Sequence, residues 1–138
     1  MRCMNHKDGY TKGDKKLPTS KEHLDKYRVN RNVLNSALDL KNAQHYDWIT
    51  TICFYSSLHI IESEFAKKSI NNFSHEEREK RMRDSNLFGR KVTDMYKQLS
   101  TYSKVARYGA KSVGPTIASK SIEWLGKIEN EILKEDEG

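Results

Sequence analysis

The stretch DWITTICFYSSLHIIESEFAKKSINNFSHEEREKRMRD, Asp47 to Asp84, decides how this chain reads. Its first half is almost wholly apolar. Trp48, Ile49, Ile52, Phe54, Tyr55, Leu58, Ile60, Ile61 and Phe65 leave little polar surface on a helix from about Tyr46 to Lys68. A helix that is apolar on most sides must be covered on most sides, so it is the central helix of a bundle. Trp48, Ile52, Tyr55 and Phe65 are its expected core residues. SINNF then reads as a turn, and SHEE, Ser74 to Glu77, is a capping box. Ser74 can bond the third helical N–H while Glu77 reaches back. A short, strongly charged helix follows and ends near Ser85.

The same reading extends in both directions. Residues 1–18, MRCMNHKDGYTKGDKKLP, are basic and have no periodic apolar pattern, as expected of a mobile tail or docking arm. A helix starts at Thr19 or Ser20, where a hydroxyl can cap it. It places Leu24, Tyr27, Leu34 and Leu38 on roughly one face, with Arg31 between them, and KNAQH closes it. Beyond the charged helix, Phe88, Val92, Met95, Leu99 and Tyr102 are spaced 4-3-4-3, a packing seam. YGAKSVGP interrupts it. A last helix from about Thr116 to Leu133 carries Ile117, Ile122, Leu125, Ile128 and Ile132. No segment alternates with a strand period, so the expected fold is an all-α helical bundle spanning residues 19–138. The seam and the last apolar face together exceed what one short bundle needs, which predicts a homodimer through these helices.

Composition bounds the function. The net charge is +6, with a pI near 9.3, which suits acidic partners such as nucleic acid. Charge is segregated: residues 75–111 carry ten Lys/Arg against five Asp/Glu, whereas residues 129–138 carry one Lys against five acids. The middle of the chain is therefore the expected face for a polyanion. Two cysteines, Cys3 and Cys53, with no CxxC, indicate neither a disulfide framework nor a zinc site and point to a reducing, cytoplasmic setting. No apolar run resembles a signal peptide or reaches a membrane span. GxxxxGK[ST], GxGxxG, GxSxG and HExxH are absent, so no cofactor or metal is expected.

Three constellations carry possible chemistry. His59 and Glu62 lie three apart on one helical face. They could join a metal site or support catalysis. A core histidine bonded to a buried partner is the preferred reading, because no second matching pair exists. His75 and Arg78 share the first turn of the charged helix, with Arg81 and Arg83 beyond. A histidine can move a proton near neutral pH and an arginine can hold a phosphate, so His75 and Arg78 could promote attack of a 2′-hydroxyl on the next phosphate. The alternative is a capped, solvated helix balanced by Glu76, Glu77 and Glu79. If RNA lies on this face, replacing Arg78 or Arg107 by Ala weakens binding without unfolding the protein. Finally, in YSKVARYG, Tyr102 to Gly109, Arg107 and Tyr108 could stack on bases or clamp a phosphate. Equally, Arg107 could cap helix carbonyls.

Trp48, FYSSLH at 54–59, SHEER at 74–78, Tyr96, Leu99 and SKVARY at 103–108 occur in an order that resembles small bacterial proteins of the HEPN superfamily. The likeness covers about residues 20–133. It implies an antiparallel bundle of four to five helices, usually dimeric. Many relatives are metal-independent endoribonucleases of toxin–antitoxin or antiviral defence systems, acting with a partner protein. Others are non-catalytic RNA-binding or assembly modules. The ribonuclease signature of the superfamily, an arginine followed by a histidine with four to six residues between, is absent. Of eight arginines and five histidines, only Arg2 and His6 come near it, with three residues between. Here the order is reversed, with His75 before Arg78, so either the pair works from another helix or across a dimer, or this member does not cut RNA. Arg81, Arg83, Arg107 and Tyr108, read from the residues above, are the expected RNA-binding positions. The reading favoured is an RNA-directed protein, with a helical module that assembles with itself or a partner protein as the alternative.

Overall fold

The computed structural model describes residues 17–39 and 45–137, without the side chains of 37–39 and 134–137. Residues 1–16 of the expected tail, residues 41–44 of KNAQH and the Leu38 side chain lie outside the described residues. Five helices follow one another: α1 Ser20–Asp39, α2 Tyr46–Lys67, α3 His75–Asp84, α4 Arg90–Tyr108 and α5 Pro115–Glu137. No strand occurs among the described residues.

Each boundary has a local cause. At Thr19 the backbone N–H donates to Glu22 Oε1 and Thr19 Oγ1 accepts from Glu22 N–H, each at 3.1 Å, so the two satisfy each other across the first turn of α1. α2 ends in a Schellman turn. Ser69 N–H reaches Ala66 O and Ile70 N–H reaches Phe65 O, while Ser69 takes a φ of 60°. Ser74 Oγ caps α3 by accepting from Glu77 N–H at 3.0 Å. The Glu77 carboxylate turns instead to Arg81, 3.3 Å away. The expected seam begins before its helix: Phe88 precedes α4 and sets its ring edge-on against Phe65. Pro115 opens α5 at the first helical position, where its missing N–H costs nothing.

α2 is the centre of the bundle. Every residue from Ile49 to Ser63 is buried, and α2 packs against α1, α4 and α5. Cross-helix contacts fix the directions. Ser20 meets Ser63 and His23 meets His59, so α1 runs opposite to α2. Phe88 meets Phe65 and Arg107 meets Tyr55, so α4 also runs opposite to α2. Tyr102 stacks on Trp124 and Lys91 faces Glu131, so α5 reverses once more. The bundle is antiparallel throughout these contacts.

Two expectations need correction. Ile52, Tyr55 and Phe65 are buried, but Trp48 is 47% exposed. It sits in the first turn of α2, where the end of α4 leaves a cleft rather than a wall. The seam of α4 and the apolar face of α5 are not surplus either. Val92, Met95, Leu99, Leu125, Ile128 and Ile132 are all buried within the chain. A copy docking through them would first have to open the bundle.

Candidate functional site

A polar chain runs through the apolar core. His23 on α1 and His59 on α2 bring their Nδ1 atoms to 3.1 Å, so one ring donates and the other accepts. Both rings are buried. Burial lowers the pKa of His23, against a partly restoring pull from the Glu62 charge. The preferred reading of His59 thus has its partner, although His23 was not among the candidate residues.

One turn along α2, the Glu62 carboxylate is 2% exposed and meets Arg78 of α3, which is fully buried. Arg78 Nε donates to Glu62 Oε1 at 2.5 Å, and Asn72 Nδ2 donates to the same oxygen at 2.9 Å. Arg78 Nη1 also donates to His75 Nδ1 at 2.9 Å and to Tyr96 Oη at 3.3 Å. A buried charge must be paired and hydrogen-bonded, and each partner here meets that need for the other. Arg78 and Met82 are the two buried residues of α3. The short charged helix is therefore anchored by an arginine plugged into α2, and only its other faces are solvated. Arg81 backs this arrangement, donating to Asn72 Oδ1 at 2.8 Å and to Asn71 O at 3.2 Å. Arg83 is exposed on the outer side of α3.

The two residues of the expected catalytic pair touch each other in this geometry. Arg78 cannot reach a phosphate without abandoning Glu62. Because Arg78 only donates, His75 Nδ1 is an acceptor, and the neutral ring carries its proton on Nε2. Burial, with the charges of Arg78, Arg107 and Lys104, pushes His75 down to about 4. At neutral pH the ring is uncharged, and its acceptor nitrogen is already used. No three His, Cys, Asp or Glu side chains among the described residues converge on a possible metal position.

The last turn of α4 presents a different kind of surface. Arg107 Nη1 donates to Tyr55 Oη at 2.8 Å and Nε donates to Ser103 O at 3.2 Å. Its Cζ lies 5.8, 5.4 and 5.0 Å from the ring centres of Phe54, Tyr55 and Tyr108. Three aromatic rings thus hold one guanidinium by cation–π attraction. The carbonyl-capping reading of Arg107 is satisfied by one bond only; the rest of its contacts fix its position. Gly109 follows directly. A Cβ there would lie 2.5 Å from Val105 O, and backbone cannot yield, so only glycine closes the helix this tightly.

His75 also touches Phe54, with ring centres 5.9 Å apart, so His75 and Arg107 meet the same aromatic side chain. The open cleft is lined by neither His75 nor Arg78. It has a volume of about 340 Å³ and is lined by Asp47, Trp48, Thr51, Tyr55, Arg107 and Tyr108. Tyr108 is 71% exposed on one flank. Asp47 Oδ1 accepts the Val113 N–H at 2.8 Å and so fastens the α4–α5 connection beside the opening. Sequence spacing had grouped Arg107 with Tyr108, but not with Asp47 and Trp48 from the start of α2.

No family model, no curated protein and no solved structure matches the chain.

Proposed function

We propose that this chain is an RNA-binding protein of the HEPN type that holds RNA without cutting it. The observation that carries the reading is the cleft in which an exposed Trp48 and an exposed Tyr108 flank a guanidinium fixed by aromatic rings. Bases stack on such rings, and the guanidinium charge draws phosphate. Of the ten Lys and Arg over residues 75–111, Lys104, Arg107 and Lys111 lie at or just past this end of α4 and give it the right sign. The engagement of His75 Nδ1 by the buried Arg78 supports binding over cleavage. A cytoplasmic place fits this function and the buried free thiol of Cys53, and a role beside a partner protein in a defence or toxin–antitoxin system fits the resemblance. The test is a salt titration: labelled RNA binds at low salt and is released as salt rises, while the RNA stays intact.

A second reading is an assembly module, a homodimer included. Val29 and Val33 favour it: they lie one turn apart on α1 and are 55% and 51% exposed. A self-associating chain without RNA affinity would choose this reading.

A further inference from the structure

We propose that the cleft between the first turn of α2 and the last turn of α4 takes one unpaired nucleobase, with the flanking phosphate outside it near Arg107. This rests on the RNA-binding reading and adds which part of the nucleic acid enters.

Charge decides which part goes in. The cleft holds one guanidinium, Arg107, and one carboxylate, Asp47. A phosphate placed inside would gain from the first and be repelled by the second. A base is neutral, so it avoids that repulsion, and its N–H edges can donate to a carboxylate. The walls agree. Trp48 and Tyr108 expose ring surface to the opening, although burying both would be the ordinary fate of residues of this size. The cleft volume of about 340 Å³ suits a single planar ring system rather than a helix. A base enters such a site only if it is not stacked and paired in a duplex. Lys104, exposed on the same turn of α4, and Lys111, exposed in the following loop, supply positive charge for the backbone on either side.

The experiment uses the full chain carrying Trp124→Phe, which leaves Trp48 as the only tryptophan. Trp124 is stacked on Tyr102 away from the cleft, and phenylalanine keeps an aromatic ring there. An eight-nucleotide adenosine RNA is titrated at low salt, against a blunt duplex of the same length. Binding is read by Trp48 fluorescence and separately by anisotropy of labelled RNA. The single strand should quench Trp48 and the duplex should not. Trp48→Ala or Tyr108→Ala, read by anisotropy, should weaken single-strand binding by about ten-fold, as loss of one stacked base does. Circular dichroism checks that these exposed positions leave the fold intact. Equal binding of single strand and duplex, unchanged by Trp48→Ala, would overturn the base pocket and leave the RNA reading standing. Absence of binding by either RNA would overturn both.

Discussion

His75 Nδ1 accepts a hydrogen bond from Arg78 Nη1 at 2.9 Å, and this contact ties the first residue of α3 to its buried arginine. It assigns the imidazole proton to Nε2, occupies the only acceptor and places a permanent positive charge beside the ring. A histidine so held supports the RNA-binding reading proposed above. Wild-type protein incubated with RNA at neutral pH should therefore leave it uncut, and His75→Ala should leave RNA affinity within about two-fold. Gel analysis of the RNA checks the first statement. Cleavage that His75→Ala abolishes would restore the proton-transfer role.

The same histidine makes stability depend on acid. Its folded pKa of about 4 lies below the usual value of 6.5, and burial lowers His23 as well. The unfolded chain then binds more protons than the folded one once the pH drops below about 6.5. Stability from these groups is complete above that pH and is lost as pH falls toward 4. Urea midpoints measured from pH 7 to pH 4.5 should fall, and His75→Gln should fall less steeply than wild type over the same window. Parallel curves for the two proteins would show that His75 has no part in it.

Arg78 should behave as a core residue. Arg78→Met leaves the Glu62 carboxylate buried without its counter-charge, which costs about 3–5 kcal/mol. Adding Glu62→Gln should return part of that loss, because the uncompensated charge goes with it. Denaturant melts of the two singles and the double give the coupling. Additive losses would mean that the two side chains do not act as a pair.

The central position of α2 gives a simpler check. Ile52 is 4% exposed, and Ile52→Ala should cost about 2–5 kcal/mol. A loss under about 0.5 kcal/mol, the size usual for surface changes, would mean that this face of α2 is not packed.

Much of this fold could be read from the chain because its signals are local. The unbroken apolar run of α2 demanded cover on several sides, and Ser74 with Glu77 marked the start of α3 three residues apart. Pairings across long separations were not legible in that way. Arg78 reads as a solvated residue among glutamates until Glu62 is brought to it from α2. The signal that could have found it is Glu62 itself, a carboxylate inside an apolar helix that needs a cation somewhere. His23 was missed because a polar residue in the first turn of a surface helix looks solvated, and only His59 opposite explains its burial. Trp48 was misplaced for the converse reason. Its size and its helix argue for the core, whereas its exposure depends on where α4 stops, and Gly109 and Val113 decide that.

RNA affinity as a function of salt, for wild type and Arg107→Ala, tests the central claim most directly. Fluorescence anisotropy of a labelled single-stranded RNA should show binding that weakens by about ten-fold or more between 50 and 200 mM salt, as expected when about three phosphates are neutralised. Arg107→Ala, still folded by circular dichroism, should bind more weakly and with a shallower salt slope, because one of those contacts is gone. Wild-type protein that fails to bind at the lowest salt, or binds with the same affinity and slope as Arg107→Ala, would contradict the account.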